Sequence, residues 1–333
     1  MQTQIKPINP QSIEQAKDIL LSSGVVAIPT ETVYGLGGNA FDDEAVKRIF
    51  EVKGRPADNP LIAHVHQEYD LSKIIDYDTE IAKKLRKAFL PGPLTLVYPS
   101  TGKVSRYVSC GLNTLAVRVP SHAGAQALLK AVNLPIVAPS ANLSKHVSPT
   151  SAKHVFDDFS GLIPLVLDGG CAEGGIESTV CDVTGEVPVI LRPGLITREQ
   201  IAAVCGDCLV YEHREGSGEQ VKSPGVLYKH YSPRCETALF DDIAEAQAFL
   251  QSVQDRRVAV LCDSPTLSAF SGVKTYDLGA TPTQMAANLY SLLRRAEEEC
   301  DLLIAIQPTA KGGVMDGVLN RLRKACVSKD IKH

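Results

Sequence analysis

The chain has 333 residues, 44% of them hydrophobic and 22% charged, with a formal net charge of −4. That length exceeds one ordinary hydrophobic core and predicts two domains, and the ordinary composition argues against disorder on the scale of a domain. The longest apolar runs, such as Leu303–Ile306, are strand-length and too short to span a membrane, and the negative balance argues against a protein that coats nucleic acid.

In chain order, the first element is an amphipathic helix over 9–24. Asn9 caps it, Pro10 fits its first turn, Ile13, Ala16, Ile19 and Leu20 recur at helical spacing, and Gly24 ends it. Val25–Ile28 reads as a short buried strand running into a glycine-rich loop, PTETVYGLGG. A helix from about Asp42, a strand at LIAHV, a helix near 79–89 and a strand at LTLVY follow. The segments 114–119 and 187–192 alternate as half-buried strands do. Helices and strands alternate throughout, so the fold class is α/β with a mixed sheet. The pattern breaks over 211–234, which is rich in Gly, Ser, Pro and charge and predicts a linker or lid between a first domain over 1–210 and a second over 235–333. The second domain carries buried strands at RRVAVLCD and DLLIAIQP, with helical periodicity at 243–253, 283–298 and 315–326, and reads as a small Rossmann-like α/β unit.

Other features narrow the chemistry. The N-terminus has no basic segment followed by an apolar stretch, so no secretory leader is expected and the cytoplasm is the expected location. Nine cysteines at irregular spacing read as reduced thiols, and Cys205 and Cys208 form a C-x-x-C pair without the further ligands of a zinc set. No P-loop and no G-x-S-x-G elbow is present. Gly35, Gly37 and Ala40 fit G-x-G-x-x-A, but PTETVY separates them from the strand. His64 and His66 alternate on a strand without a further ligand cluster, which favours core or ligand-lining roles over a metal site. From Ile81 to Phe156 there are ten Lys and Arg and no Asp or Glu. Such a stretch reads either as an exposed basic face or as the wall of a cavity for a highly anionic ligand.

Four polar segments stand out, each placed by this reading near the end of an apolar strand or helix: 29–36 (PTETVYGL), 53–61 (KGRP through NPL), 138–142 (APSAN) and 177–180 (ESTV) with Arg192-Pro193-Gly194. Strand C-terminal ends are where open α/β sheets bind ligands. Thr114 and Arg118, four apart on a strand, face one side about 13 Å apart. An arginine there with no local acid calls for an anionic partner such as a substrate carboxylate.

In this order the segments resemble the YrdC-like family. The layout with linker and second domain is similar to the long form of the threonylcarbamoyl-AMP synthases. The family's K-x-R…S-x-N pairing appears as Lys53, Arg55, Ser140 and Asn142, and 223–233 (SPGVLYKHYSP) resembles its interdomain signature, with Val226 in place of the commoner methionine. The resemblance implies an N-terminal twisted mixed sheet around a basic cavity. It also implies condensation of L-threonine, bicarbonate or CO2 and ATP to threonylcarbamoyl-adenylate and pyrophosphate, for t6A modification of tRNA by a separate transferase. By matching position, Thr32, His64, Arg118, Ala138 and Ser178 would line the threonine pocket. Arg55, Asn59, Thr114, Ser140, Ser148, Arg192 and Tyr228 would contact ATP, with Lys53 and Asn142 adjacent. Lys53 and Arg55 would stabilise the phosphates' charge, with no covalent nucleophile and no obligate general base. Mg2+ would accompany ATP without a protein cage, contact with the transferase would be transient, and direct tRNA binding weak or absent. Tyr228 and His230 would belong to a loop closing over the cavity. The rival reading is a module gripping RNA through the acid-free stretch; an aromatic content of 5% with no Trp leaves it few stacking platforms.

Overall fold

In the computed structural model, which describes residues 2–57, 59–211 and 231–327, the chain builds two sheets. The first contains β1 (Gln4–Pro7), β2 (Val26–Ile28), β3 (Gly35–Asn39), β4 (Ile62–His64), β5 (Leu94–Pro99), β6 (Thr114–Arg118), β7 (Ile136–Val137), β8 (Leu165–Asp168), β9 (Thr179–Asp182), β10 (Val189–Arg192) and β11 (Leu209–Val210). Their spatial order is β1-β8-β2-β3-β7-β4-β6-β5-β9-β10-β11. The sheet is mixed: β4 runs parallel to β6 and β5 to β9, whereas β2–β3, β4–β7, β5–β6 and β9–β10 are antiparallel. The helices are α1 (Pro10–Leu21), α2 (Asp43–Lys53), α3 (Glu80–Phe89), α4 (Arg106–Ser109), α5 (Ala123–Val132), α6 (Ala152–Phe159) and α7 (Arg198–Cys205).

Local chemistry sets these bounds. Asn9 and Ser12 form a reciprocal capping box at the start of α1, and Pro10 occupies its first turn. The helix stops at Leu21, short of Gly24, and Ser23 takes the positive φ, 60°. Gly24 serves close approach instead: a Cβ there would sit 2.5 Å from Ile19 Cγ2. The expected glycine-rich loop is also shorter than its sequence suggests. Residues 29–34 form the turn, while Gly35–Asn39 is a strand hairpinned onto β2. On β6, Leu115, Val117 and Val119 enter the main core, and Ala116 packs with Ile62, Val97 and Val180 on the opposite face. That alternation leaves Arg118 on the second face, beside His64 of β4.

The second sheet is wholly parallel, with β12 (Glu236–Phe240), β13 (Val258–Cys262), β14 (Lys274–Asp277) and β15 (Leu302–Ile306) in the order β12-β15-β13-β14. The fourth strand lies between the first and the second, which are neighbours in the 3-2-1-4 order of a Rossmann half. Helices α8 (Ile243–Ser252), α9 (Pro282–Glu299) and α10 (Val314–Ala325) accompany it. Val33, Val147 and Ile176 of the first unit share an apolar cluster with Leu289, Tyr290, Leu293 and Met315 of α9 and α10. The second unit is therefore packed directly against the loops of the first.

Candidate active site

A cavity with about 740 Å3 of space, part of it open to solvent, lies on the face of β4 and β6. Thr32, Lys53, Arg55, His64, Arg118, Ala138, Ser140, Asn142, Ser178 and Arg192 line it, so one place gathers all four polar segments. They converge differently from the expected set of strand exits. Residues 29–34 turn between β2 and β3, Lys53 ends α2, residues 138–142 leave β7, and Glu177–Ser178 lead into β9. Because β9 and β10 are antiparallel, the entrance to one and the exit of the other, Arg192, meet at the same end of the sheet. Gly54, at φ 58°, closes α2 in the left-handed conformation and lets the chain turn Arg55 toward the cavity.

Arg118 does not lack a local acid. Its Nη2 lies 2.7 Å from Glu31 Oε1, its Nη1 donates to Thr32 Oγ1 at 2.8 Å and its Nε to the Gly92 carbonyl at 3.4 Å. Burial works to raise the Glu31 pKa, but the charge and hydrogen bond of Arg118 outweigh it and hold the carboxyl below its ordinary value. His64 Nδ1 donates to the Ile62 carbonyl at 3.1 Å, which leaves Nε2 as the lone-pair nitrogen. Burial, then the charge of Arg118, lowers its pKa to about 3, so the imidazole is neutral at physiological pH, with its one proton on Nδ1 and Nε2 able to accept a hydrogen bond.

Lys53 lines the cavity and has a second task in its wall. Its side chain is enclosed, and Nζ donates to the carbonyls of Ser140 and, at 2.7 Å, of Asn142. The ammonium thus ties the end of α2 to the S-x-N loop, and burial with the nearby Arg55 charge pushes its pKa well down. Arg55 Nη2 donates to the Asn59 carbonyl at 3.0 Å. Asn59 does not line the cavity; it is completely buried, and among the described residues neither atom of its side-chain amide is hydrogen-bonded. Arg192 reaches back over Ser178, donating to its carbonyl at 2.9 Å and its Oγ at 3.1 Å, while Thr95 and Ser178 share a hydroxyl hydrogen bond of 2.8 Å. Thr114 and Ser148 also stand outside the lining, and Tyr228, His230 and the proposed closing loop lie outside the described residues.

Several cavity residues had no role in the sequence reading: Glu177, Lys145, His146 and Tyr231. Glu177 sits inside a quoted motif, and only its partners from the second unit reveal what it does. Conversely, the acid-free stretch contributes only Arg118 and Lys145, of its Lys and Arg residues, to the lining. Lys83, Arg86, Lys130 and Lys153 meet Glu80, Asp78, Glu68 and Asp157 from beyond that window. His66 faces another hollow and bonds Asn133 Oδ1 at 3.0 Å. The Cys205 and Cys208 thiols are both pushed up, chiefly by burial, Cys208 to about 11, which suits unreactive reduced thiols. Among the described residues no helix is long and apolar enough to cross a membrane.

Known proteins bear on this geometry. The Sua5_yciO_yrdC family model, described as "Telomere recombination", matches residues 18–194, and the model for the C-terminal domain of threonylcarbamoyl-AMP synthase matches 196–327. A Bacillus subtilis protein named threonylcarbamoyl-AMP synthase is 43% identical over 331 residues, covering 97% of this chain and 95% of its own. The crystal structure of Pyrococcus abyssi Sua5 complexed with L-threonine superimposes with a TM-score of 0.89 at 38% identity, covering 98% of this chain and all of that one. The structure of YciO from E. coli, 28% identical with a TM-score of 0.52, covers 58% of this chain and 96% of its own. With both halves matched in order and full-length relatives at this identity, the chain belongs to the two-domain threonylcarbamoyl-AMP synthase family, a family of nucleotidyltransferases.

Proposed function

We propose that the cavity joins L-threonine, CO2 drawn from bicarbonate, and MgATP into threonylcarbamoyl-adenylate, releasing pyrophosphate. The observation that carries this is its electrostatic make-up: Lys53, Arg55, Arg118, Lys145 and Arg192 line it against the single carboxylate of Glu177. Such a wall suits a triphosphate and an amino-acid carboxylate held together.

In this reading Arg118 and Thr32 receive the threonine carboxylate, with the Arg118 charge shared by Glu31. The neutral His64 accepts a hydrogen bond from the amine or the hydroxyl, and Ala138 and Ser178 shape the remaining wall. The neutral amine adds to CO2 and gives a carbamate, and the proton it loses combines with the hydroxide left by bicarbonate to form water. A carbamate oxygen then attacks the α-phosphorus, the bond to the β-phosphate oxygen breaks, and pyrophosphate leaves. Positioning and charge stabilisation carry such a step. Arg55 and Arg192 supply the charge, Ser140 and Asn142 border the nucleotide, and Asn59, Thr114 and Ser148 stand behind that lining. Lys53 acts by fixing the loop that presents Ser140 and Asn142.

Mg2+ would arrive on the ATP phosphates as part of the substrate. Among the described residues no group of three or more His, Cys, Asp or Glu is placed to cage it. The product would pass to a separate transferase for t6A modification of tRNA in the cytoplasm, by transient contact.

The test is pyrophosphate release from ATP and bicarbonate, with and without L-threonine. Threonine-dependent release that falls about a hundredfold in Arg55→Ala agrees with a lost charge-assisted contact to phosphate. Absence of release with any amino acid, from folded protein, would contradict the reading.

A further inference from the structure

Glu177 is an anomaly in a wall built for anions. Among the described residues that line the cavity it is the only Asp or Glu, and it lies beside Ser178 and Arg192. Its neutralising partners come from the second unit. Arg321 of α10, with no exposed surface, donates from Nε to Glu177 Oε2 at 3.0 Å. The Tyr290 hydroxyl of α9 donates to the same oxygen at 2.9 Å, and Ser148 Oγ donates to Oε1 at 2.7 Å. Arg321 Nη1 also donates to the Pro193 carbonyl at 2.5 Å, so one guanidinium grips both the 177–179 and the 192–194 segments.

The backbones are pressed together around this contact. A Cβ on Gly175 would sit 2.2 Å from the Ala286 carbonyl oxygen of α9. A Cβ on Gly317 of α10 would sit 3.2 Å from Gly194 Cα. Tyr231 stacks on Tyr290 at 5.3 Å between centroids and also lines the cavity. Burial works to raise the Glu177 pKa, yet the charges of Arg321 and Arg192 bring it down to about 2, so the carboxylate is ionised and held as an ion pair.

We propose that Arg321, supported by Tyr290, is a positioning residue for the synthase reaction. It cancels the charge of Glu177 and fixes the two segments that carry Ser178 and Arg192, so that the second unit sets how well the cavity holds the nucleotide's phosphates. The inference rests on ATP occupying that cavity. Without Arg321, the unpaired carboxylate repels the phosphates and draws Arg192 away from them. At the threonine end only Ser178 shares a braced segment; the carboxylate anchor, Arg118, is held by Glu31 and Thr32, so threonine binding is affected much less. By reciprocity, nucleotide binding tightens the contact between the two units.

The test is steady-state kinetics of full-length Arg321→Met, with Tyr290→Phe as a milder variant and Arg321→Met/Glu177→Gln as the charge-cancelling partner. Arg321→Met is expected to raise KM for ATP about tenfold and KM for threonine less than twofold, a coupling of ordinary size. Glu177→Gln in the same chain is expected to recover most of the loss, which a merely structural role for Arg321 would not allow. Should Arg321→Met fail to fold, Tyr290→Phe carries the test, with a rise in KM for ATP of about threefold and threonine unchanged. Unchanged ATP dependence in the folded variants, or equal rises for both substrates without rescue, overturns the proposal. A parent protein with no ATP-dependent reaction fails the functional reading itself, a different result.

Discussion

Lys53, a cation expected beside the phosphates, lines the cavity and also braces its wall. Its ammonium holds the carbonyls of Ser140 and Asn142, both remote in the chain. Lys53→Met removes the donor from two buried acceptors and is expected to lower stability by about 3 kcal/mol. Thermal unfolding measures this, and nucleotide affinity would fall alongside as the 140–142 loop shifts. Unchanged stability with weakened ATP binding alone would return Lys53 to the phosphate role that the resemblance implied. Arg118 teaches the complementary lesson. Its lack of an acid was judged along the strand, whereas Glu31 arrives from the turn after β2. Residue types and motif spacing identified which side chains meet, but the partners of each charge depend on three-dimensional packing that spacing does not encode.

Among elements, the contact between α6 and α9 is expected to depend on pH. His146, in the loop before α6, bonds Asp158 Oδ1 through Nδ1 at 3.0 Å and Glu297 Oε2 through Nε2 at 2.7 Å. Arg294 of α9 also bonds Asp158, and Arg234 and His154 lie close by. Burial disfavours charged His146, but the hydrogen bonds to Asp158 and Glu297 outweigh it and raise the pKa above 6.5. Burial likewise opposes ionised Asp158, and His146 and Arg294 depress its pKa nonetheless. A raised histidine pKa gives stability present in full below the unfolded value and lost as pH rises through the folded one. A depressed carboxylate gives stability lost only in acid, as pH falls through its folded value. Thermal stability should therefore fall as pH rises above the ordinary histidine value of about 6.5 and through the raised folded one, and His146→Gln should flatten that decline. An identical decline in the variant would assign it to other groups. Helices with capped ends, such as α1, α2 and α3, were legible to within a few residues because their caps are local chemistry. The strand β3 was not, since Gly35–Asn39 carries little side-chain pattern and is held by pairing to β2 and β7.

At the scale of the molecule, the two α/β units could be read from alternating periodicities broken by one polar stretch. Their strand orders and their contact could not, because both depend on pairing between distant segments. The acid-free stretch illustrates the limit. Seventy-six consecutive residues without a carboxylate, 81 through 156, read either as an exposed basic face or as one cavity wall; eight of the ten cations stand outside the cavity lining, and four of these meet acids from beyond the stretch. The cavity is assembled instead from the turn at 29–34, the end of α2, strands β4 and β6, the loop at 138–142 and the segments braced by α9 and α10. In the proposed reaction it holds three substrates at once, an amino acid, a one-carbon unit and a nucleotide. The most direct measurement is transfer of radiolabelled bicarbonate into a nucleotide adduct by the purified protein. Label that enters the adduct only when L-threonine and ATP are both present is the result this account predicts. Label that enters without threonine, or never enters while the protein is folded and binds ATP, would contradict it.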